Sequence, residues 1–185
     1  MSASEMHFEQ QVREVIHNDP VRWRLLVWVR ELALPDCWIG AGFVRNAVWD
    51  HLHGRQPTAP DGDVDVLWFD QARSDPAEDK RLEAQLRAWA PGVMWSVKNQ
   101  ARMHLRNGQA PYASTEDAMR YWAETATAVA VRRTGDDRCE VLAPLGLEDL
   151  FGLKVRSTPG KAEVMAVRVR DKGWLARWPQ LRMAP

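Results

Sequence analysis

Two aspartates separated by one residue, in Asp63-Val64-Asp65, are the residues of this 185-residue chain best suited to chemistry. Along an extended strand side chains alternate between faces, so both carboxylates project to one side while Val64 and Val66 turn to the core. Carboxylates one pleat apart repel each other unless a proton or a cation neutralises them, and hard oxygen donors suit a magnesium ion shared with substrate phosphates. The same residues also fit a solvated strand end, the common fate of an isolated Asp-x-Asp. A calcium loop starting at Asp61 fails, because Val66 and Ala72 stand where glycine and glutamate are required. A glycosidase pair is disfavoured, since two acids on one strand do not flank a glycosidic bond from opposed faces.

Upstream, Gly40-Ala41-Gly42 separates a short apolar run, Cys37-Trp38-Ile39, from a helical pattern at Phe43, Val44, Val48 and Leu52. A strand, a glycine turn and a helix in that order let the backbone approach a triphosphate, to which the helix N-terminus offers unpaired amides and a positive dipole. Arg45 falls in the first turn of that helix, within reach of a phosphate; the alternative is a plain tight turn with Arg45 as a surface charge. Further on, Lys98, Arg102 and His104 gather where a strand passes into a helical turn. They read either as a clamp for a phosphate or acidic substrate or as a solvated basic edge.

The elements that must hold these residues follow from periodicity and punctuation. Phe8, Val12, Val15 and Ile16 predict a helix over about 5–18, and Asp19-Pro20 supplies the cap and first-turn proline of a second, carrying Val21, Leu25, Trp28 and Leu32. A polar loop over 54–62 delivers the chain to a strand over 63–69, and a helix over 76–90 is stopped by Pro91-Gly92. Residues 93–98 read as a strand, 100–105 as a helical turn, and Ser114 with Asp117 as the start of a helix ending near Trp122. Segments 125–132 and 139–143 read as strands around a hairpin turn at Gly135-Asp136-Asp137, and 147–155 as a helix. The expectation is one α+β domain over 1–185, a small mixed sheet flanked by helices, with a helical N-terminal segment (about 5–33) and a basic, tryptophan-containing tail (about 161–185).

Joined, the glycine turn with Arg45-Asn46 and the following Asp63-Val64-Asp65 resemble the nucleotidyltransferase superfamily that includes the polymerase-beta and CCA-adding enzymes. A similarity over nearly the whole chain extends to a bacterial family described only as nucleotidyltransferase-like. It runs through Trp38-Ile39-Gly40-Ala41-Gly42-Phe43-Val44-Arg45-Asn46, Asp63-Val64-Asp65-Val66, Val97-Lys98-Asn99-Gln100-Ala101-Arg102-Met103-His104 and Ala143-Pro144-Leu145-Gly146-Leu147-Glu148-Asp149-Leu150-Phe151. The resemblance implies a nucleoside triphosphate (NTP) donor such as ATP and two Mg2+ ions on Asp63 and Asp65. It also implies an acceptor, small molecule or protein, whose hydroxyl is activated by a third carboxylate on a neighbouring strand. The strand expected to carry that acid, 93–98, holds none; its polar residues are Ser96 and Lys98, followed by Asn99. Asn99 offers a metal its carbonyl oxygen but cannot act as a base, which leaves Glu124 as the substitute or as a surface carboxylate at a helix end. By the same resemblance Lys154 lies near the triphosphate. Without a completing acid, the fold would remain a nucleotide-binding module with slow or no transfer.

Composition narrows the partners. Twenty-five basic and 25 acidic residues cancel, so no global field draws the chain to nucleic acid, and any polyanion site must be local. No run reaches the roughly 18–20 uncharged apolar residues of a membrane span. Glu5, His7 and Glu9 stand where a signal peptide is apolar, which suggests the cytoplasm. Cys37 and Cys139 are too far apart for a close-spaced metal motif and read as buried free thiols, and the ten tryptophans read as core in preference to an exposed interaction surface.

Overall fold

The computed structural model describes residues 2–185. Helix α1 (Ala3–His17) opens with a capping box between Ser2 and Glu5, and α2 (Pro20–Glu31) is capped by Asp19, whose carboxylate accepts from the Val21 and Arg22 amides. Strand β1 (Trp38–Gly40) leads to α3 (Gly42–Leu52), followed by β2 (Val64–Trp68), α4 (Pro76–Trp89) and β3 (Trp95–Asn99). A 3-10 turn at Gln100–Arg102 precedes α5 (Met103–Asn107) and α6 (Thr115–Met119), and another at Thr125–Thr127 precedes β4 (Ala130–Arg133) and β5 (Cys139–Leu142). The chain closes with α7 (Glu148–Phe151), β6 (Lys154–Arg156), α8 (Ala162–Asp171), α9 (Trp174–Arg177) and β7 (Arg182–Ala184).

Strands β1 to β5 form one mixed sheet in the order β3-β2-β1-β4-β5. Only β2 and β3 are parallel, joined by the α4 crossover; β6 and β7 form a separate parallel pair. On one face Ile39, Val64, Val66, Val97 and Val131 join side chains of α1 to α4 in the main core. The other face carries a smaller cluster of Trp38, Leu67 and Ala130 with Met119 of α6. Each large apolar side chain buried contributes about 1.5–3 kcal/mol. The helix-covered face therefore supplies most of the stability and leaves the thinner face free for polar groups, where Asp65 sits in alternation with Val64 and Val66.

The expected α+β architecture holds, with differences at particular segments. Residues 125–127 are not extended as expected, because Thr125 Oγ1 donates to Asp149 Oδ2 at 2.8 Å and Thr127 Oγ1 accepts from Arg45 Nη1 at 2.8 Å. The helix expected over 147–155 ends at Phe151; Leu153 takes a φ of 53°, and Lys154–Arg156 pairs with β7 as a strand. The tail is structured: Trp174 and Trp178 pack on Trp49 with ring centroids at 5.5 and 5.0 Å, and Trp178 Nε1 donates to Asp50 Oδ1 at 2.8 Å. Six tryptophans are buried, and the other four are partly buried and packed against the cores. Cys37 and Cys139 are free and half-buried, with thiols pushed up by burial to pKa values of about 12 and about 11. Among the described residues no helix is long and apolar enough to cross a membrane.

Candidate active site

The glycine turn is shaped by two different demands. Gly40 lies in the middle of the sheet, paired with Asp65 on one side and Ala130 on the other. A Cβ there would stand 3.0 Å from Leu67 Cδ1 and 3.2 Å from the Val129 carbonyl, so a side chain would have to push its neighbours aside and packing favours glycine. At Gly42 an added Cβ would meet only Arg45 and Asn46, at 3.5 Å or more, so the fold itself tolerates a side chain and its absence leaves the helix mouth clear. Ala41 between them has φ 55° and ψ −128°, a conformation that costs a residue with a Cβ about 1–3 kcal/mol. Its amide donates to Val129 O at 3.0 Å, and its carbonyl accepts from the Arg45 amide at 2.9 Å to start α3. That helix has no side-chain cap, so its first amides are open to an anion.

Asp63, at the end of the loop, and Asp65, on β2, line one cavity of about 430 Å3 with Gly42 and Arg45. Its far wall is basic: Arg168 and Lys172 from α8 and the segment just after it, and Arg177 from α9. Burial raises the Asp65 pKa, the Asp63 charge raises it further, and Lys172, Arg168 and a hydrogen bond with Ser96 oppose the rise. Such a pair favours a bound cation. Across the parallel register Ser96 stands opposite Asp65, and among the described residues no cluster of three or more His, Cys, Asp or Glu forms here. Two carboxylates and a hydroxyl fit magnesium, which commonly takes one or two protein carboxylates and completes its shell with water and phosphate oxygens.

Arg45 is 4% exposed and fixed in place. Nη1 donates to Thr127 Oγ1 at 2.8 Å, Nη2 donates to Asn46 Oδ1 at 2.9 Å, and the guanidinium lies over Trp174 at 4.1 Å. Burial pulls its pKa down to about 9, with Glu124 and Asp65 opposing, so it remains a cation at neutral pH. It is thus a fixed charge lining the cavity and not the surface charge of the alternative reading. Glu124 is 1% exposed; Oε1 accepts from Arg168 Nε at 2.7 Å, and Oε2 has no hydrogen-bond partner. It faces a second cavity, which also reaches Asp65, Lys98 and Arg168.

Three residues named from the sequence lie elsewhere. Asn99 stands three positions beyond Ser96 on β3, about 10 Å along the strand. Its side chain is consumed in binding the Asp70 amide, the Asp70 and Arg73 carbonyls and the Ala101 amide, so it is not the expected oxygen ligand. Arg102 is ion-paired to buried Asp79 and lines neither cavity. Lys154 is exposed on β6 and is likewise absent from both. Conversely, Arg168, Lys172 and Arg177 line the cavity without having been expected at the site. The helical i, i+4 spacing of Arg168 and Lys172 is the one sequence signal that puts them on a common face.

The arrangement has relatives. A family profile described as Nucleotidyltransferase matches residues 28–183. An NMR structure described as revealing a CCA-adding enzyme head domain is 34% identical, with a TM-score of 0.83 and 95% of each chain covered. Two longer proteins share the fold, and this chain spans less than half of either. A CCA-adding enzyme in complex with CTP is 14% identical at a TM-score of 0.55, with 96% of this chain and 43% of that one covered. A tRNA-processing enzyme complex is 18% identical at a TM-score of 0.55, with 86% and 43% covered. No curated protein sequence matches significantly. The mixed sheet with its flanking helices is that of a CCA-adding enzyme head domain, and the chain belongs to the nucleotidyltransferase family.

Proposed function

We propose that the protein transfers a nucleoside monophosphate from an NTP to an acceptor hydroxyl, with Mg2+ held by Asp63 and Asp65. The observation that carries this reading is the acid pair facing a basic wall across one cavity, at the uncapped N-terminus of α3. A triphosphate answers both halves: its charge suits Arg45, Arg168, Lys172 and Arg177, and its oxygens suit the free amides of the helix. Magnesium, when bound, would neutralise charge on the phosphates and polarise them. Arg45, already locked by Thr127 and Trp174, offers its charge without reorganisation. The acceptor oxygen bonds to the α-phosphorus as the bond from that phosphorus to the bridging oxygen breaks and pyrophosphate leaves. Glu124 Oε2, which has no donor of its own, takes the hydroxyl proton.

A melting experiment tests the donor site. Mg2+ and an NTP together are expected to raise the melting temperature by several degrees, as saturating ligand at about 100 times Kd adds roughly 2.7 kcal/mol. Asp65→Asn should abolish the shift, and no shift with any of the four common NTPs would overturn the reading. One observation favours a second reading, a binding module without transfer: Ser96 occupies the register position opposite Asp65 where a third carboxylate is expected. Metal-dependent release of pyrophosphate eliminates that alternative.

A further inference from the structure

We infer that the second cavity, on the other side of Asp65, binds the acceptor, and that the acceptor is a small phosphorylated molecule with a flat ring, of nucleoside monophosphate size. This rests on the donor reading above and names its missing substrate class. The two cavities share three residues, Ala41, Asp65 and Arg168. Molecules seated in each therefore meet at Asp65, as a donor and an acceptor must.

The second cavity has a volume of about 430 Å3, within the roughly 300–1,000 Å3 of small-ligand sites. Its chemistry is divided. Tyr121 stacks on Tyr112 with ring centroids 5.2 Å apart, yet is 42% exposed, and Trp122 and Leu67 continue an apolar wall suited to a flat ring. Lys98, Arg106 and Lys161 supply positive charge to the same space, and neither Arg106 nor Lys161 forms an ion pair among the described residues. Glu124 lines the same cavity as these groups and Asp65, and its buried Oε2 has no hydrogen-bond partner in the protein. A buried acceptor without a donor is unfavourable, and a substrate hydroxyl would supply one.

The charge pattern selects a compact acceptor. Four cations, Lys98, Arg106, Lys161 and Arg168, line one cavity of a chain whose 25 basic and 25 acidic residues cancel, and two of them are already paired, Lys98 with Glu83 and Arg168 with Glu124. A strand of nucleic acid calls for a continuous basic track along its backbone.

The chain contains only two tyrosines, and both line this cavity, so tyrosine-selective NMR labelling reports on it alone. The protein is first saturated with Mg2+ and the α,β-methylene analogue of the most stabilising NTP, and each of the four common ribonucleoside monophosphates is then titrated. At least one is expected to shift both tyrosine signals saturably, with the matching nucleoside and ribose 5-phosphate binding tenfold or more weakly. Lys161→Ala should weaken the monophosphate tenfold or more and leave stabilisation by the analogue unchanged. The inference is overturned if the analogue alone moves the tyrosine signals, because the ring of the donor then fills the cavity. It is also overturned if no monophosphate moves them, if the monophosphate displaces the analogue, or if a single-stranded RNA oligonucleotide binds more tightly. Normal stabilisation by Mg2+ and NTP with silent tyrosines removes the acceptor site alone, whereas loss of that stabilisation removes the donor reading and this inference with it.

Discussion

Two groups of buried charged side chains sit close to β2, and they are finished differently. Around Asp79 the protein satisfies itself: the carboxylate accepts from Trp68 Nε1 at 2.9 Å, from the Asn99 amide at 3.1 Å and from Arg102. Asn99 closes the same network onto the loop at 70–73, and only Arg102 Nη1 is left without a partner. Around Asp65 the network stays open, with a carboxylate whose pKa is raised, an uncapped helix and a Glu124 oxygen without a donor. Residue type does not separate the two groups, since each contains acids and arginines. What separates them is whether the acid oxygens are matched from within, as both are at Asp79 and Glu124 Oε2 is not, and a buried acceptor left open at a cavity suits a ligand.

That contrast can be broken by experiment. The largest expected effect is Asp79→Ala, which leaves Arg102 charged and unpaired and should cost about 3–5 kcal/mol in urea unfolding. A smaller loss would mean that the closed network is not structural. Next, Asn99→Ala should cost about 1–3 kcal/mol through its orphaned backbone partners, while Mg2+ and NTP still stabilise the variant. Unchanged unfolding with lost stabilisation would return Asn99 to the active site. The smallest effect belongs to Asp65→Asn in metal-free buffer, and its sign is opposite. Because the folded pKa of Asp65 is raised, the stability tied to its protonated form is complete below the ordinary value of 3.8 and is lost as pH rises through the folded value. The asparagine variant should therefore melt higher than wild type at neutral pH, with the difference vanishing toward acid. Equal melting temperatures at pH 7 would show that the open network carries no electrostatic cost.

Much of this was legible in the sequence. The strand, glycine turn and helix around Gly40 and the alternation at Val64 and Val66 follow from local spacing, and the structure places them as expected. The partner of Arg102 was not legible, because Asp79 lies 23 residues away on α4 and ion pairing across a crossover leaves no local pattern. Nor was the register of β3: a strand without an acid gives no cue that Ser96, and not Asn99, faces Asp65. The basic wall was hidden for another reason. Helix α9, which carries Arg177, has four residues, too short for periodicity to reveal, and the spacing of Arg168 and Lys172 on α8 does not tell that this helix lies beside Asp65.

That wall has a consequence during synthesis. Gly40 to Gly42, Asp63 and Asp65 emerge about a hundred residues before Arg168, Lys172 and Arg177, and the tryptophans that seat the wall on Trp49 emerge with it. A partly translated chain can pair its first strands, yet its two aspartates lack the cations opposite them and α3 lacks the cover of Trp174 and Trp178. The cavity that places the aspartates opposite these cations is therefore complete only after the last helices have been made.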